Sequence, residues 1–254
     1  MLSFLKKMIA QAGDICLNEQ DRLTPGDLEF KNRKDLVTVT DRKVEAFIVS
    51  QIATRFPDHG VWGEETGRNQ TQSEFLWIID PIDGTTSFFH GQPYYAVSIA
   101  LEKAGETILG AVLAPALGQL FYAEKDRGAY LNDQPIRVSA AAMLADAVMA
   151  TGFACLRAGH TKNNLTHFNR IVPQLRDIRR CGSAALDLCY VACGKLDGFW
   201  ELNLNRYDVA AGVLLVTEAG GIVSDFAGGS QFPHQGIVAA NRELAPILTA
   251  QLTA

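Results

Sequence analysis

No stretch of this chain approaches the roughly 20 uninterrupted apolar residues of a membrane-spanning helix. The opening segment, MLSFLKKMIAQAGDICLNEQ, also lacks the apolar block of a secretory signal, because lysines, Asp14 and Glu19 are mixed into an amphipathic repeat. These absences predict a cytoplasmic protein with no membrane partner. Basic charge is scarce. The 23 Lys and Arg are outnumbered by 28 Asp and Glu, and a net charge of -5 argues against direct nucleic-acid binding through a basic face. The five cysteines (Cys16, Cys155, Cys181, Cys189, Cys193) are odd in number, scattered and without a C-x-x-C pair, so they read as reduced, mostly buried thiols. Cys189 and Cys193 are one helical turn apart, a spacing for which burial is a commoner outcome than metal or redox chemistry. Internal repeats, low-complexity tracts and flexible linkers are missing too.

What the chain does have is material for a large core, with 48% apolar and 20% charged residues over 254 positions. This predicts one domain over 1–254, built as an N-terminal α+β lobe of about 1–140 and a C-terminal αβα lobe of about 141–254. Leu5, Met8, Ile9, Ala12, Ile15 and Cys16 recur at helical spacing until Pro25-Gly26, which predicts a first helix from Leu2 to about Leu23. Leu36-Val37-Thr38-Val39 reads as a short strand. Val44, Phe47, Ile48 and Ile52 then mark a second helix with Asp41 near its N-terminus and Pro57 after its end.

From Phe75 to Val138 short β-rich runs separated by Gly- and Pro-bearing turns predict a largely antiparallel sheet. From about Ala147, apolar strands (AVMATGF, GFWEL, GIVSDF, GIVAAN) alternate with helical stretches near 161–175, 183–194, 208–219 and 241–252. That alternation predicts an αβα lobe, and the cleft between two lobes is a common place for a small-molecule site.

The chemistry concentrates at LWIIDPIDGTTSFFHG, residues 76 to 91. FLWII reads as a strand buried on both faces, so Asp80 emerges at its carboxyl end, and Pro81 is expected to fix a turn that brings Asp83 beside it. Two carboxylates forced together are costly without a cation, and all-oxygen ligands select a hard divalent ion such as Mg²⁺ or Mn²⁺. Gly84, Thr85 and Thr86 follow with backbone amides and hydroxyls that suit phosphate oxygens. Carboxylates, metal and amides together suggest phosphoryl transfer or phosphate-ester hydrolysis.

HGVWGEET adds Glu64 and Glu65 in a glycine-flanked loop, and NRYDVAAG adds Asp208 at a helix start. Each has a plainer alternative: a solvated acidic pair for the first, and a helix N-cap for the second. None of the five histidines has an acidic partner at motif spacing, and His90, beside the motif, reads as a packing residue.

In this order GEE, WIIDPIDGTTSFFHGQPYYAVSIAL, RRCGSAALDLCYVACGKLDGFWEL and YDVAAGVLLVTEAGGIVSDFAGG resemble the inositol monophosphatase family, most closely its bacterial SuhB-type branch. The resemblance covers most of the chain. It implies the αβαβα layered sandwich of inositol monophosphatases and fructose bisphosphatases, with two or three Mg²⁺ ions and Mn²⁺ as a substitute. Glu64, Asp80 and the Ile82 carbonyl would hold a first ion, and Asp80, Asp83 and Asp208 a second. Glu64 and Thr85 would orient the attacking water, with Asp41 polarising Thr85 from behind. Gly84, Thr85 and Thr86 would hold phosphate oxygens, while Ala184 and Glu201 occupy positions that touch inositol hydroxyls. Asp83 and Asp208 count among the substrate contacts as well.

The implied reaction is hydrolysis of inositol 1-phosphate, with lithium sensitivity and a homodimer as further expectations. Other phosphatases of the superfamily, for histidinol phosphate, NADP, adenosine 3',5'-bisphosphate or fructose 1,6-bisphosphate, share the metal motif. A role as partner of the transcription and RNA-processing apparatus is the alternative of a different class. Tyr207 stands where the family usually has tryptophan, which bears on specificity rather than on metal chemistry. The run KNRKD before Asp41 could supply a third metal or phosphate partner, a mobile loop over the site or a solvated charged loop, and Arg179 and Arg180 could form a dimer contact or a surface pair.

Overall fold

A computed structural model describes residues 1–32, 35–69 and 72–253. It is layered αβαβα. A small antiparallel hairpin, β1 (Leu28–Asn32) with β2 (Asp35–Thr38), lies between α1 (Leu2–Gln20) and α2 (Val39–Arg55) in the chain. Arg33 and Lys34 of the KNRKD run lie outside the described residues.

The first large sheet has eight strands in the order β10 (Gln134–Pro135), β9 (Ala129–Leu131), β8 (Gln119–Glu124), β7 (Glu106–Ala114), β6 (Ala96–Lys103), β5 (Phe75–Asp83), β3 (Gly60–Gly63) and β4 (Gly67–Asn69). Every pairing is antiparallel except β3 with β5. The period-2 alternation of β5 separates its faces: Trp77 and Ile79 join the core under α1 and α2, while Leu76 and Ile78 join the central core on the other side. Both faces are covered, which is why FLWII is apolar throughout.

Between the two large sheets lie α6 (Ala184–Ala192) and α7 (Arg206–Glu218), whose Leu186, Leu188, Val209 and Leu215 fill the central core. The second sheet runs β12 (Asp177–Arg179), β11 (Val148–Thr151), β13 (Gly198–Glu201), β15 (Ile237–Ala240), β14 (Ile222–Ser224), with mixed pairing. Phe199 faces the central layer. Its neighbour Trp200 faces the outer core with Leu244 and Leu248 of α8 (Leu244–Thr253). Burial of each such large side chain stabilises the fold by roughly 1.5–3 kcal/mol.

Four expectations change. Pro81 does not end the strand: β5 continues to Asp83, and the turn expected there is a slip in register against β6 between Asp80 and Asp83. A proline is tolerated at such a bulge because no ladder hydrogen bond needs its missing N–H. Thr85–Phe89 forms a short helix, α3, in place of a simple turn. The glycine-flanked segment 60–69 is a hairpin, β3 and β4, rather than only a loop.

The helix expected over 161–175 is divided into α5 (Leu165–Ile171) and a 3-10 turn (Val172–Gln174), with Pro173 barring one continuous helix, and a short helix that was not expected, α4 (Ala154–Arg157), precedes it. Asn164, the N-cap of α5, is fully buried.

Candidate active site

The parallel step between β3 and β5 pairs Gly63 with Ile79, and the Glu64 N–H donates to the Ile79 carbonyl at 3.1 Å. One residue further along both strands, Glu64 and Asp80 therefore stand side by side, and their carboxyl groups are hydrogen-bonded. Glu45 fixes the segment from behind. It is fully buried and accepts from the Glu65 N–H at 2.9 Å and the Thr66 N–H at 2.8 Å. It also lies one helical turn after Asp41 on α2, so the sequence spacing already places both acids on one face.

Asp80, Asp83 and Asp208 each offer a carboxylate oxygen within 4.8 Å of the others. Asp80 comes from β5, Asp83 from its end and Asp208 from the first turn of α7. Asp208 is not the N-cap. Asn205 is, and Asp208 completes a capping box by accepting from the Asn205 N–H at 2.6 Å. Asp83 is held from the start of α6, accepting from Ser183 Oγ at 2.6 Å and the Ala185 N–H at 2.7 Å.

Burial pushes Asp80 and Asp208 well above the usual carboxylate range. The Glu64 and Asp83 charges add to this for Asp80, and the Asp83 and Glu64 charges for Asp208. Asp83 is also raised by burial, although its two hydrogen bonds and the nearby guanidinium groups of Arg157 and Arg180 oppose the shift. A cavity floor that repels its own charge to this extent fits a hard divalent cation, and the donors are the oxygen set such an ion takes.

Behind the cluster, Thr85 Oγ1 lies 3.2 Å from Asp41 Oδ1 and 3.1 Å from the Ile82 carbonyl, two acceptors for one hydroxyl proton. Asp41 Oδ2 accepts from the Thr38 N–H at 2.8 Å and the Thr38 hydroxyl at 2.6 Å. Burial pushes Asp41 up to about 6 against these hydrogen bonds. Gly84 turns the chain with φ +94°, and a Cβ there would stand 2.8 Å from the Tyr94 carbonyl. Only glycine fits both conditions. Gly84, Thr85 and Thr86 line a small cavity together with Glu64, Asp80 and Ile82.

A larger adjoining cavity of about 160 Å³ includes Ala184, Glu201 and Tyr207 in its lining. Burial pushes Glu201 up to about 7, and its Oε1 accepts from the Ala154 N–H at 3.0 Å. Burial, then the Glu64, Asp208 and Asp80 charges, raises the Tyr207 hydroxyl, so it is a neutral donor on the cavity wall. Of the residues singled out from the motifs, Glu64, Asp80, Ile82, Asp83, Gly84, Thr85, Thr86, Ala184, Glu201 and Asp208 line these two cavities, and Asp41 lies behind Thr85.

The structure also adds Ser183, Asp187 and Arg157, which the sequence reading passed over, and parts the two arginines read as a dimer contact or a surface pair. Arg179 pairs with Asp177, whereas Arg180 lines the larger cavity. Ser183 was legible as a Ser directly before a helix. Asp187 lies almost fully buried in the lining. Arg157 carried no signal at all. His90 packs edge-on to Phe89, and the buried side of His59 accepts from the Trp77 indole at 3.0 Å, so neither serves the carboxylate cluster.

An αβαβα sandwich with a carboxylate cluster at the end of β5 and the start of α7 defines a class of metal-dependent phosphatases. Within that class the chain belongs to the inositol monophosphatase family, whose model matches residues 1–254. It is 42% identical to an inositol-1-monophosphatase of Mesorhizobium japonicum over 85% of this chain and 82% of that one. It is likewise 42% identical to Nus factor SuhB of Pseudomonas aeruginosa, over 95% and 91% of the two chains. The crystal structure of the extragenic suppressor protein suhB of Bartonella henselae superposes with a TM-score of 0.92 at 39% identity, covering 99% of this chain and 97% of that one. No helix among the described residues is long and apolar enough to cross a membrane.

Proposed function

We propose that this chain is a Mg²⁺-dependent phosphatase of small monoesters, with inositol 1-phosphate as its substrate. The observation that carries the reading is the convergence of the Asp80, Asp83 and Asp208 oxygens within 4.8 Å of one another, beside the Gly84–Thr86 turn. Glu64, Asp80, the Ile82 carbonyl, Asp83 and Asp208 would hold two or three Mg²⁺ ions, with Mn²⁺ as a substitute. Bound there, the ions supply charge neutralisation and a water of lowered pKa.

The protein's own groups do the positioning. Glu64 and Thr85 orient the attacking water in line with the ester bond, and Asp41 fixes the direction of the Thr85 hydroxyl. The Gly84, Thr85 and Thr86 amides hold phosphate oxygens, and Ala184 and Glu201 face the alcohol. No protein nucleophile is required. The cytoplasm is the proposed location, and lithium inhibition is expected.

Phosphate release from inositol 1-phosphate, 2'-AMP, histidinol phosphate, NADP, adenosine 3',5'-bisphosphate and fructose 1,6-bisphosphate tests this reading, with and without Mg²⁺. Hydrolysis of inositol 1-phosphate that requires Mg²⁺ and vanishes in Asp83→Asn supports it. Activity confined to another ester moves the substrate and keeps the site.

The relatives named Nus factor SuhB favour a second reading, in which the chain also serves the transcription machinery as a binding partner. A cellular phenotype that survives Asp83→Asn would support it. A homodimer built from domains spanning 1–254, with lobes of about 1–140 and 141–254, completes the proposal. Light scattering that returns a mass near 27.6 kDa, that of a single chain, would overturn the dimer.

A further inference from the structure

Arg157 is the C-terminal residue of α4, a four-residue helix that the sequence pattern did not predict. The segment that presents it is anchored to the cavity wall at several points. The Ala154 N–H donates to Glu201 Oε1, and a Cβ on Gly152 would stand 2.1 Å from Glu201 Oε2, so the backbone lies directly against that carboxyl. Fully buried Asn164 closes the other end: its Nδ2 donates to Thr151 Oγ1 at 2.7 Å and to the Gly152 carbonyl at 2.8 Å, while its Oδ1 accepts from the Trp200 indole at 2.9 Å.

Arg157, an exposed residue, lines both cavities of the site, whereas Arg180 lines the larger one alone. Glu64, Asp83, Gly182 and Asp208 are the other residues common to both linings, so Arg157 shares the junction with three carboxylates of the site. Its charge acts on both Asp83 and Glu201. Its guanidinium has no hydrogen bond or ion pair with any described residue, whereas Arg176, Arg179 and Arg206 are all paired with acids. A guanidinium left unpaired at such a junction has its planar donor fork available for a ligand.

Resting on the phosphatase reading, we infer that Arg157 is a substrate-phosphate ligand, donating to non-bridging phosphoryl oxygens in the cavity it shares with the Gly84–Thr86 turn. Geometry favours the phosphoryl group over an anion on the alcohol. An alcohol-borne anion would lie within the larger cavity, where Arg180 already stands, and would not require a cation that also lines the smaller one. Guanidinium and phosphate match in shape and form paired charge-assisted hydrogen bonds, which an ammonium cannot reproduce.

The test compares the wild-type protein with Arg157→Ala and Arg157→Lys in Mg²⁺. Inorganic phosphate binding is measured by calorimetry, and hydrolysis is measured with inositol 1-phosphate and with p-nitrophenyl phosphate, whose alcohol has no polyol hydroxyls. Arg157→Ala is expected to weaken phosphate binding by roughly tenfold or more, as loss of hydrogen bonds to a charged group does. The KM of both esters should rise in parallel, free guanidinium should restore part of the loss, and Arg157→Lys should recover little.

Phosphate affinity within about twofold of wild type, against the tenfold scale expected for such bonds, overturns the inference. So does a KM change confined to inositol 1-phosphate, which would assign Arg157 to the alcohol. If the wild type hydrolyses neither ester yet binds phosphate through Arg157, the phosphatase reading fails and the ligand assignment stands.

Discussion

Gly63 pairs with Ile79 in the parallel β3–β5 ladder, and the next residues on the two strands, Glu64 and Asp80, thereby become neighbours. Parallel strands run their carboxyl ends to the same edge, so two acids distant in sequence are delivered to one spot without a dedicated loop. Gly63 is needed for a second reason. A Cβ there would stand 2.3 Å from Glu45 Oε1, the group that holds the Glu65 and Thr66 amides.

Mutual repulsion in the carboxylate cluster predicts opposite effects of Asp80→Asn with and without metal. In chelator at pH 8 the substitution should stabilise the protein by about 1–3 kcal/mol, because a buried and opposed charge is removed. Wild type should gain stability as Mg²⁺ is added, and the variant should not. Denaturant unfolding at several Mg²⁺ concentrations reads both effects, and equal Mg²⁺ gains in the two proteins would contradict the assignment.

Gly84→Ala should be among the most damaging single-methyl changes in the molecule. It forces a Cβ onto a φ of +94° and to 2.8 Å from the Tyr94 carbonyl. Such strain costs on the order of 1–3 kcal/mol, and the turn that carries Thr85 and Thr86 must shift to relieve it. Thermal unfolding and phosphate release should both fall. Unchanged activity with a lowered Tm would separate the turn from the chemistry.

Thr85→Val removes the hydroxyl held between Asp41 and the Ile82 carbonyl while keeping the side-chain shape. The expected loss in kcat is roughly 100-fold, the low end for a group that manages a proton in the transition state. Thr85→Ser should retain much of the activity. Asp41→Asn should resemble Thr85→Val in kcat, whereas an effect on KM alone would place both residues in substrate binding.

Glu201 supplies a pH test. Its carboxyl is raised from the ordinary 4.5 to about 7 by burial, so the folded protein binds the proton more tightly than the unfolded chain does. The associated stability is therefore present below about pH 4.5 and is lost as pH rises through 7, a change of about 3 kcal/mol at 1.36 kcal/mol per pKa unit. Glu201→Gln should flatten that part of the pH–stability curve. It should also remove an inflection near pH 7 from kcat/KM for inositol 1-phosphate while leaving p-nitrophenyl phosphate hydrolysis nearly unchanged.

The sequence by itself determined the layers and the chemistry. Short apolar runs marked the core strands, and the spacing of Asp80, Asp83, Gly84 and Thr85 made a candidate metal and phosphate site legible, because those residues lie within one strand end and one turn. Asp41 and Glu45 were likewise within reach, one helical turn apart. What tertiary structure alone decided was everything that depends on chain segments meeting from afar. The register of β3 against β5 set Glu64 beside Asp80, and Ser183 and Ala185 were brought from a hundred residues away to hold Asp83. Pro81 remained in its strand because a bulge absorbed it. Arg157 reached the junction of the two cavities because Glu201 and Asn164 tether the backbone that carries it. Local periodicity and turn chemistry report the energetics of neighbouring residues. The placement of a single polar side chain reports which distant backbone happens to be packed against it, and no local pattern encodes that.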